Sequence, residues 1–114
     1  MKKILITGGA GYIGSMLCTK LINFGYQVTV IDLLKYNKSS LNHLYFYKNF
    51  KLIVRDIRNK KLMKKLIKKN DFIIPLAGLV GAPLCDKYKK DAISTNLESI
   101  KTLRKIVTSK NKII

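Results

Sequence analysis

The chain has 114 residues, which is enough for one domain with a buried core but near the low end for an open α/β sheet. Its formal net charge of +17 comes almost wholly from lysines scattered over predicted helix faces, so a basic nucleic-acid binder is kept only as a remote alternative. No apolar run is long enough for a membrane span or a secretory signal, and two cysteines and one histidine lack metal-ligand spacing, so we expect a cytoplasmic protein without a metal site.

The chain opens with a short apolar strand, predicted over residues 3–7, that runs directly into a glycine-rich turn. Gly8, Gly11 and Gly14 follow it, and apolar residues then recur at helical spacing over residues 12–24. Glycines in such a turn permit a sharp bend, a close approach of backbone N–H groups to a pyrophosphate, and tight packing of the helix on the strand. The pattern predicts a dinucleotide-binding turn, and the alternative is an ordinary βαβ connection.

A second buried strand, predicted over residues 27–31, ends in Asp32, which lies 18 residues after Gly14. An acidic residue at about this distance hydrogen-bonds the adenosine ribose hydroxyls in dinucleotide-binding folds and favours NAD over the 2′-phosphorylated NADP. Lys35 follows Asp32 closely, and its charge would soften that preference by tolerating a 2′-phosphate.

The rest of the chain continues the alternation of strands and helices. The predicted elements are a short helix near residues 40–44, a strand at 51–55, a helix at 60–69, a strand at 72–76, a long helix at 89–109 and an apolar start at 112–114. This order predicts an α/β fold, a Rossmann-like parallel sheet with helices on both faces, comprising four strands and the start of a fifth. The ligand edge is the one where the strands end.

Three further segments of the chain each have more than one interpretation. Asp56 follows the third strand, where it would either contact a ligand or cap the next helix. Leu76, Ala77 and Gly78 would let a flat group pass over the backbone, or simply form the exit of the fourth strand. Asn96 falls on the apolar stripe of the long helix, so its amide needs a partner in a neighbouring loop, a water or a cofactor.

With these features in register, the chain resembles the NAD-dependent epimerase/dehydratase family of the extended short-chain dehydrogenase/reductase superfamily, which acts on nucleotide sugars. The frame that carries the resemblance is Thr7-Gly8-x-x-Gly11-x-x-Gly14. Pro75 and Gly78 depart from it, since the family often has His and Ala there. The resemblance implies cofactor contacts from Gly8, Gly11, Tyr12, Ile13 and Gly14 at the pyrophosphate, Asp32 at the adenosine ribose, Asp56 and Ile57 at the adenine, Leu76, Ala77 and Gly78 beneath the cofactor, and Asn96 at the nicotinamide half.

In this family a catalytic Ser or Thr, a Tyr-x-x-x-Lys pair and a substrate domain follow the fifth strand, which would begin here at the end of the chain, near Ile114. The resemblance therefore implies an incomplete NAD-binding domain over residues 1–114 without catalytic residues. A nucleotide-sugar substrate and a homodimer are expected only in a full-length form. The alternative is a non-catalytic NAD-binding module, or a subunit completed by another chain. The sugar, and the choice among epimerisation, dehydration and reduction, stay open.

Overall fold

The computed structural model describes residues 2–34, 39–77 and 112–113, and its elements follow the predicted alternation. In chain order they are β1 (Lys3–Thr7), α1 (Tyr12–Asn23), β2 (Gln27–Ile31), a 3-10 helix (Asn42–Leu44), β3 (Phe50–Ile53), α2 (Lys60–Lys68), β4 (Phe72–Pro75) and β5 (Lys112–Ile113). The predicted long helix at 89–109 lies outside the described residues.

All five strands pair in parallel, in the order β3-β2-β1-β4-β5. The register aligns Ile6 of β1 with Val30 of β2 and with Ile74 of β4. The chain crosses from one side of β1 to the other between β3 and β4, which creates a switch in strand order at the carboxyl edge of the sheet. This topology confirms the Rossmann-like fold predicted from the sequence.

The sheet has an apolar core on each face, because successive side chains of a strand point to opposite sides. In β1, Ile4 and Ile6 belong to one core while Leu5 belongs to the other. The first core is closed by residues of α1 and of the 3-10 helix region, namely Cys18, Ile22, Leu41 and Leu44. The second core is closed by residues of α2, namely Met63, Leu66 and Ile67. Helices on both faces are therefore confirmed as well.

Local sequence explains where the helices begin and end. Asn59 starts α2, because its side chain accepts a hydrogen bond from the Leu62 N–H at 3.1 Å. The exposed face of α2 carries its lysines. The end of α1 is followed by Gly25 at φ +90°, a left-handed conformation that glycine adopts without strain.

Two strands are shifted from their predicted bounds because pairing, not apolar composition, limits their length. β3 ends at Ile53, where its partner β2 ends at Ile31, and the last bridging bond runs from the Asp32 N–H to Ile53 O at 3.1 Å. Val54, beyond this point, is 52% exposed. β4 ends at Pro75, opposite Thr7. In the part of the chain that is described, no helix is long and apolar enough to span a membrane.

Candidate functional site

The carboxyl ends of β1, β2 and β4 bring three predicted groups together at one edge of the sheet. The turn of residues 8–14 leaves β1, Asp32 follows β2, and Leu76 and Ala77 follow β4. Thr7 joins two of these segments, since its backbone O accepts from the Leu76 N–H at 2.8 Å and its hydroxyl O accepts from the Ala77 N–H at 3.3 Å. Gly78 and Asn96, also predicted for this site, lie outside the described residues.

Gly8 is required by the packing of the turn on the exit of β4. Its φ is +74°, and a Cβ built on it would lie 2.5 Å from the Cα of Ala77 and 2.8 Å from the carbonyl carbon of Leu76. Its N–H donates to Ile31 O at 2.9 Å, so the first residue of the turn is tied to β2. No other residue type fits both the conformation and the space.

Gly14 and Gly9 allow the start of α1 to pack closely against the turn and the sheet. A Cβ on Gly14 would lie 2.7 Å from Gly8 O, and a Cβ on Gly9 would lie 2.7 Å from both methyl groups of Val30. The packing of Gly9 against Val30 is a structural requirement of the turn that the sequence-based prediction missed. The adjacent pair Gly8-Gly9 was the available signal.

Gly11 differs, because nothing in the protein's own packing demands a glycine there. Its φ is −71°, and the nearest atom to a built Cβ is Gly8 O at an ordinary 3.5 Å. Gly11 is the N-cap of α1 and no side chain caps this helix, whose first turn bond runs from the Ser15 N–H to Gly11 O at 2.9 Å. The amides of Tyr12, Ile13 and Gly14 precede that bond in the first turn of the helix, where an anion can be bound.

The side chains of the first turn of α1 face solvent at this edge. Tyr12 is 81% exposed and Ile13 is 67% exposed. The structure therefore places both predicted residues beside the open helix start, with their backbone amides as the groups suited to an anion.

Asp32 is held against the glycine turn by two backbone donors. Its Oδ2 accepts from the Ala10 N–H at 3.0 Å and its Oδ1 accepts from the Leu34 N–H at 2.7 Å. Leu34 adopts φ +57°, an uncommon conformation for a side-chain-bearing residue. Since an ionised carboxylate offers about four lone-pair sites, Asp32 keeps acceptor capacity for further hydroxyl donors.

Asp56 and Ile57 lie in the turn between β3 and α2. Asp56 accepts from the Arg58 backbone N–H at 2.9 Å and forms an ion pair with the Arg58 guanidinium at 2.6 Å. The cap of α2 is Asn59, so the capping alternative for Asp56 does not hold in the structure. The Ile57 side chain is only 9% exposed and belongs to the core under α2.

Cys18 lies directly beneath the glycine turn and is fully buried. Burial raises the pKa of its thiol to about 12, and the negative charge of Asp32 adds to that rise, while a backbone hydrogen bond opposes it. Its Sγ donates to Gly9 O at 4.0 Å. At neutral pH the Cys18 thiol is therefore protonated and packs as a neutral side chain. It is also unreactive, because the thiolate is the reactive form.

A Tyr-x-x-x-Lys spacing does occur at Tyr47 and Lys51, earlier in the chain than the family's catalytic pair. Tyr47 precedes β3 and Lys51 lies near its beginning. The pair is thus at the amino edge of the parallel sheet, opposite the glycine turn, and cannot serve the site described above. Among the described residues, no cluster of His, Cys, Asp and Glu could hold a metal ion.

Comparison with known proteins supports this reading of the fold. The model of the NAD dependent epimerase/dehydratase family matches residues 4–112. A UDP-N-acetyl-alpha-D-glucosaminuronate decarboxylase of Bacillus cytotoxicus is 32% identical over an alignment of 114 residues that covers 99% of this chain and 35% of that protein. A UDP-glucose 4-epimerase of Neisseria meningitidis is 35% identical over an alignment of 108 residues that covers 85% of this chain and 31% of that protein.

Solved structures agree with the sequence relatives. The UDP-Glc/GlcNAc 4-epimerase of Campylobacter jejuni superposes with a TM-score of 0.81 at 25% identity, covering 99% of this chain and 36% of that one. The UDP-glucose 4-epimerase of Bifidobacterium longum, solved with NAD+ and UDP, gives 0.77 at 27% identity, covering 92% of this chain and 33% of that one. The chain thus spans about a third of the length of the relatives it matches.

Proposed function

Since this chain belongs to the NAD dependent epimerase/dehydratase family, we propose that it binds NAD(H) at the carboxyl edge of its sheet, with the pyrophosphate on the turn of residues 8–14. The observation that carries this proposal is Gly11, a glycine that the protein's own packing does not need, at the uncapped start of α1. A missing side chain there leaves room for a ligand, and the helix start supplies N–H donors for phosphate oxygens.

We further propose that Asp32 binds the ribose of the adenosine half and selects NAD over NADP. Its carboxylate is fixed by the Ala10 and Leu34 amides and retains free acceptor sites. Ribose hydroxyls would donate to those sites, whereas a 2′-phosphate would bring a second negative charge against the carboxylate. The adenine would then lie toward Asp56 and Ile57, and the nicotinamide half toward Leu76, Ala77, Gly78 and Asn96.

For the whole protein we propose a nucleotide sugar as the substrate, because the matched relatives carry UDP-sugar names. Asp32 and the glycine turn would hold the nicotinamide cofactor, which supplies hydride transfer when bound. In the family this chemistry needs a Tyr-x-x-x-Lys pair, and the Tyr47 and Lys51 spacing lies at the wrong edge of the sheet. We therefore propose that these 114 residues bind the cofactor without turning over a sugar.

The test is calorimetric titration of the 114-residue chain with NAD and, separately, with NADP. We expect binding of NAD to exceed that of NADP, and expect Asp32→Asn to reduce or reverse that preference by removing the charge while keeping an acceptor oxygen. The matched control is Asp71→Asn. Asp71 accepts from the Lys3 N–H at 2.9 Å at the opposite edge of the sheet, so its neutralisation should leave the preference unchanged. Folded wild-type chain with no measurable affinity for NAD would overturn the proposal.

A further inference from the structure

We propose that Ser40 is a positioning residue of the glycine turn, through which it sets the affinity for the pyrophosphate of the cofactor. Ser40 lies 30 positions after Ala10, yet its Oγ donates to Ala10 O at 2.7 Å. No motif in the sequence predicts this contact. Its effect on a ligand rests on the NAD binding proposed above, whereas its effect on the turn does not.

Both backbone polar groups of Ala10 are held by side chains from the segment that follows β2. Its N–H donates to Asp32 Oδ2 at 3.0 Å, and its C=O accepts from Ser40. The Ala10 side chain is 2% exposed, so the residue is also fixed by packing. Ala10 is thus the residue of the turn that forms hydrogen bonds with two side chains: the Asp32 carboxylate, which we propose binds the ribose, and the Ser40 hydroxyl.

The Ala10 carbonyl matters because it shares a rigid peptide plane with the Gly11 N–H. When Ser40 holds the carbonyl on its side, the N–H of Gly11 points the opposite way, where it donates to Gly8 O at 3.2 Å. This peptide leads directly into the N-cap and first turn of α1. Fixing its plane therefore fixes the direction in which the first helical amides point.

Ser40 is itself held in place by residues in and next to the 3-10 helix that follows it. Leu41 and Leu44 are 2% and 1% exposed and belong to the core under α1. His43 Nε2 lies 2.8 Å from Thr19 Oγ1, and the Thr19 hydroxyl donates to Ser15 O at 2.9 Å. These contacts hold the Ser40 hydroxyl in place before any ligand arrives.

The experiment compares Ser40→Ala with two controls in the full 114-residue chain. Ser40→Thr keeps the hydroxyl, and Ser39→Ala removes a neighbouring hydroxyl from an exposed side chain. The ligands are ADP-ribose, which contains the pyrophosphate, and adenosine, which does not. We expect Ser40→Ala to weaken ADP-ribose about three- to tenfold, the range of one hydrogen bond, and to leave adenosine within about twofold. Both controls should bind as the wild type does.

A ligand-free readout separates this inference from the proposed function. Amide hydrogen exchange of residues 9–14 should be faster in Ser40→Ala than in wild type and in Ser39→Ala. If wild type binds no ligand, the NAD proposal fails while faster exchange still supports the role of Ser40. Unchanged exchange in Ser40→Ala overturns the inference, as does an equal loss of affinity for ADP-ribose and adenosine, which would indicate a general loss of structure.

Discussion

Gly8 and Ala77 are in contact so close that a methyl group on Gly8 would lie 2.5 Å from the Ala77 Cα, although 69 positions separate the two residues. The glycine turn after β1 therefore rests on the exit of β4, and Thr7 ties the same two segments by hydrogen bonds to Leu76 and Ala77. Gly8, the first glycine of the motif, is thus required by the packing of the sheet edge, whether or not a ligand binds there.

Gly8→Ala should destabilise the fold strongly. The left-handed φ of +74° costs a side-chain-bearing residue about 1–2 kcal/mol, and the overlap with Ala77 backbone adds to that. We expect the free energy of unfolding in urea to fall by more than about 2 kcal/mol. A variant that unfolds at the wild-type midpoint would contradict the close contact between the turn and β4.

Gly11→Ala should leave the stability of the fold nearly unchanged and weaken NAD binding instead. The new Cβ meets no protein atom closer than 3.5 Å, so the free energy of unfolding should change by no more than about 1 kcal/mol, the scale of an N-cap substitution. The same methyl group would occupy the space proposed for the pyrophosphate, and we expect NAD affinity to fall at least about tenfold, as for a buried steric clash. Retained stability together with wild-type NAD affinity would argue against the proposed position of the cofactor.

Asn59→Ala should lower the stability of the fold and leave NAD binding largely intact, which is the reverse of the result expected for Gly11→Ala. Asn59 caps α2 by accepting from the Leu62 N–H, and loss of such a cap costs about 1 kcal/mol. Asn59 makes none of the cofactor contacts proposed above, so NAD affinity measured below the unfolding transition should change much less than the stability does. Asn59→Ser, which keeps a capping oxygen, should recover most of the lost stability, whereas an equal loss in both variants would mean that capping is not the cause.

The sequence was sufficient for the order of elements because each had its own periodic pattern. The apolar spacing of α1 and α2 and the buried runs of β1, β2 and β4 are local properties, and the structure confirms them within one residue at each end. The end of β3 was wrong by two residues, since it depends on where β2 ends and not on the apolar Val54.

The distinct roles of the glycines could not be read from the sequence, because they depend on groups far along the chain. Gly8 is explained by Ala77, and Gly9 by Val30. The contact between Ser40 and Ala10 also joins remote positions. The ligand roles of Asp32 and Asp56 stay predictions, as do those of the residues beyond position 77.

Cys18 should make the stability of the protein fall at alkaline pH. Its pKa is raised from 9.0 to about 12 in the folded state, so between these values the unfolded chain releases a proton that the folded chain keeps. Folding then opposes ionisation, and stability is lost as pH rises through 9, with a limiting slope of about 1.4 kcal/mol per pH unit. Below pH 9 both states are protonated and this contribution does not vary.

Comparison with Cys18→Ala isolates this contribution, because every other ionisable group is common to both proteins. The second thiol, Cys85, is replaced by serine in both. Cys18→Ala loses packing against the core at every pH, so its deficit in the free energy of unfolding should be constant from pH 6 to about 8. From pH 9 to 10 that deficit should narrow by about 1 kcal/mol as the reference protein weakens. A deficit that stays constant up to pH 10 would mean that the Cys18 thiol ionises as readily in the folded chain as in the unfolded one.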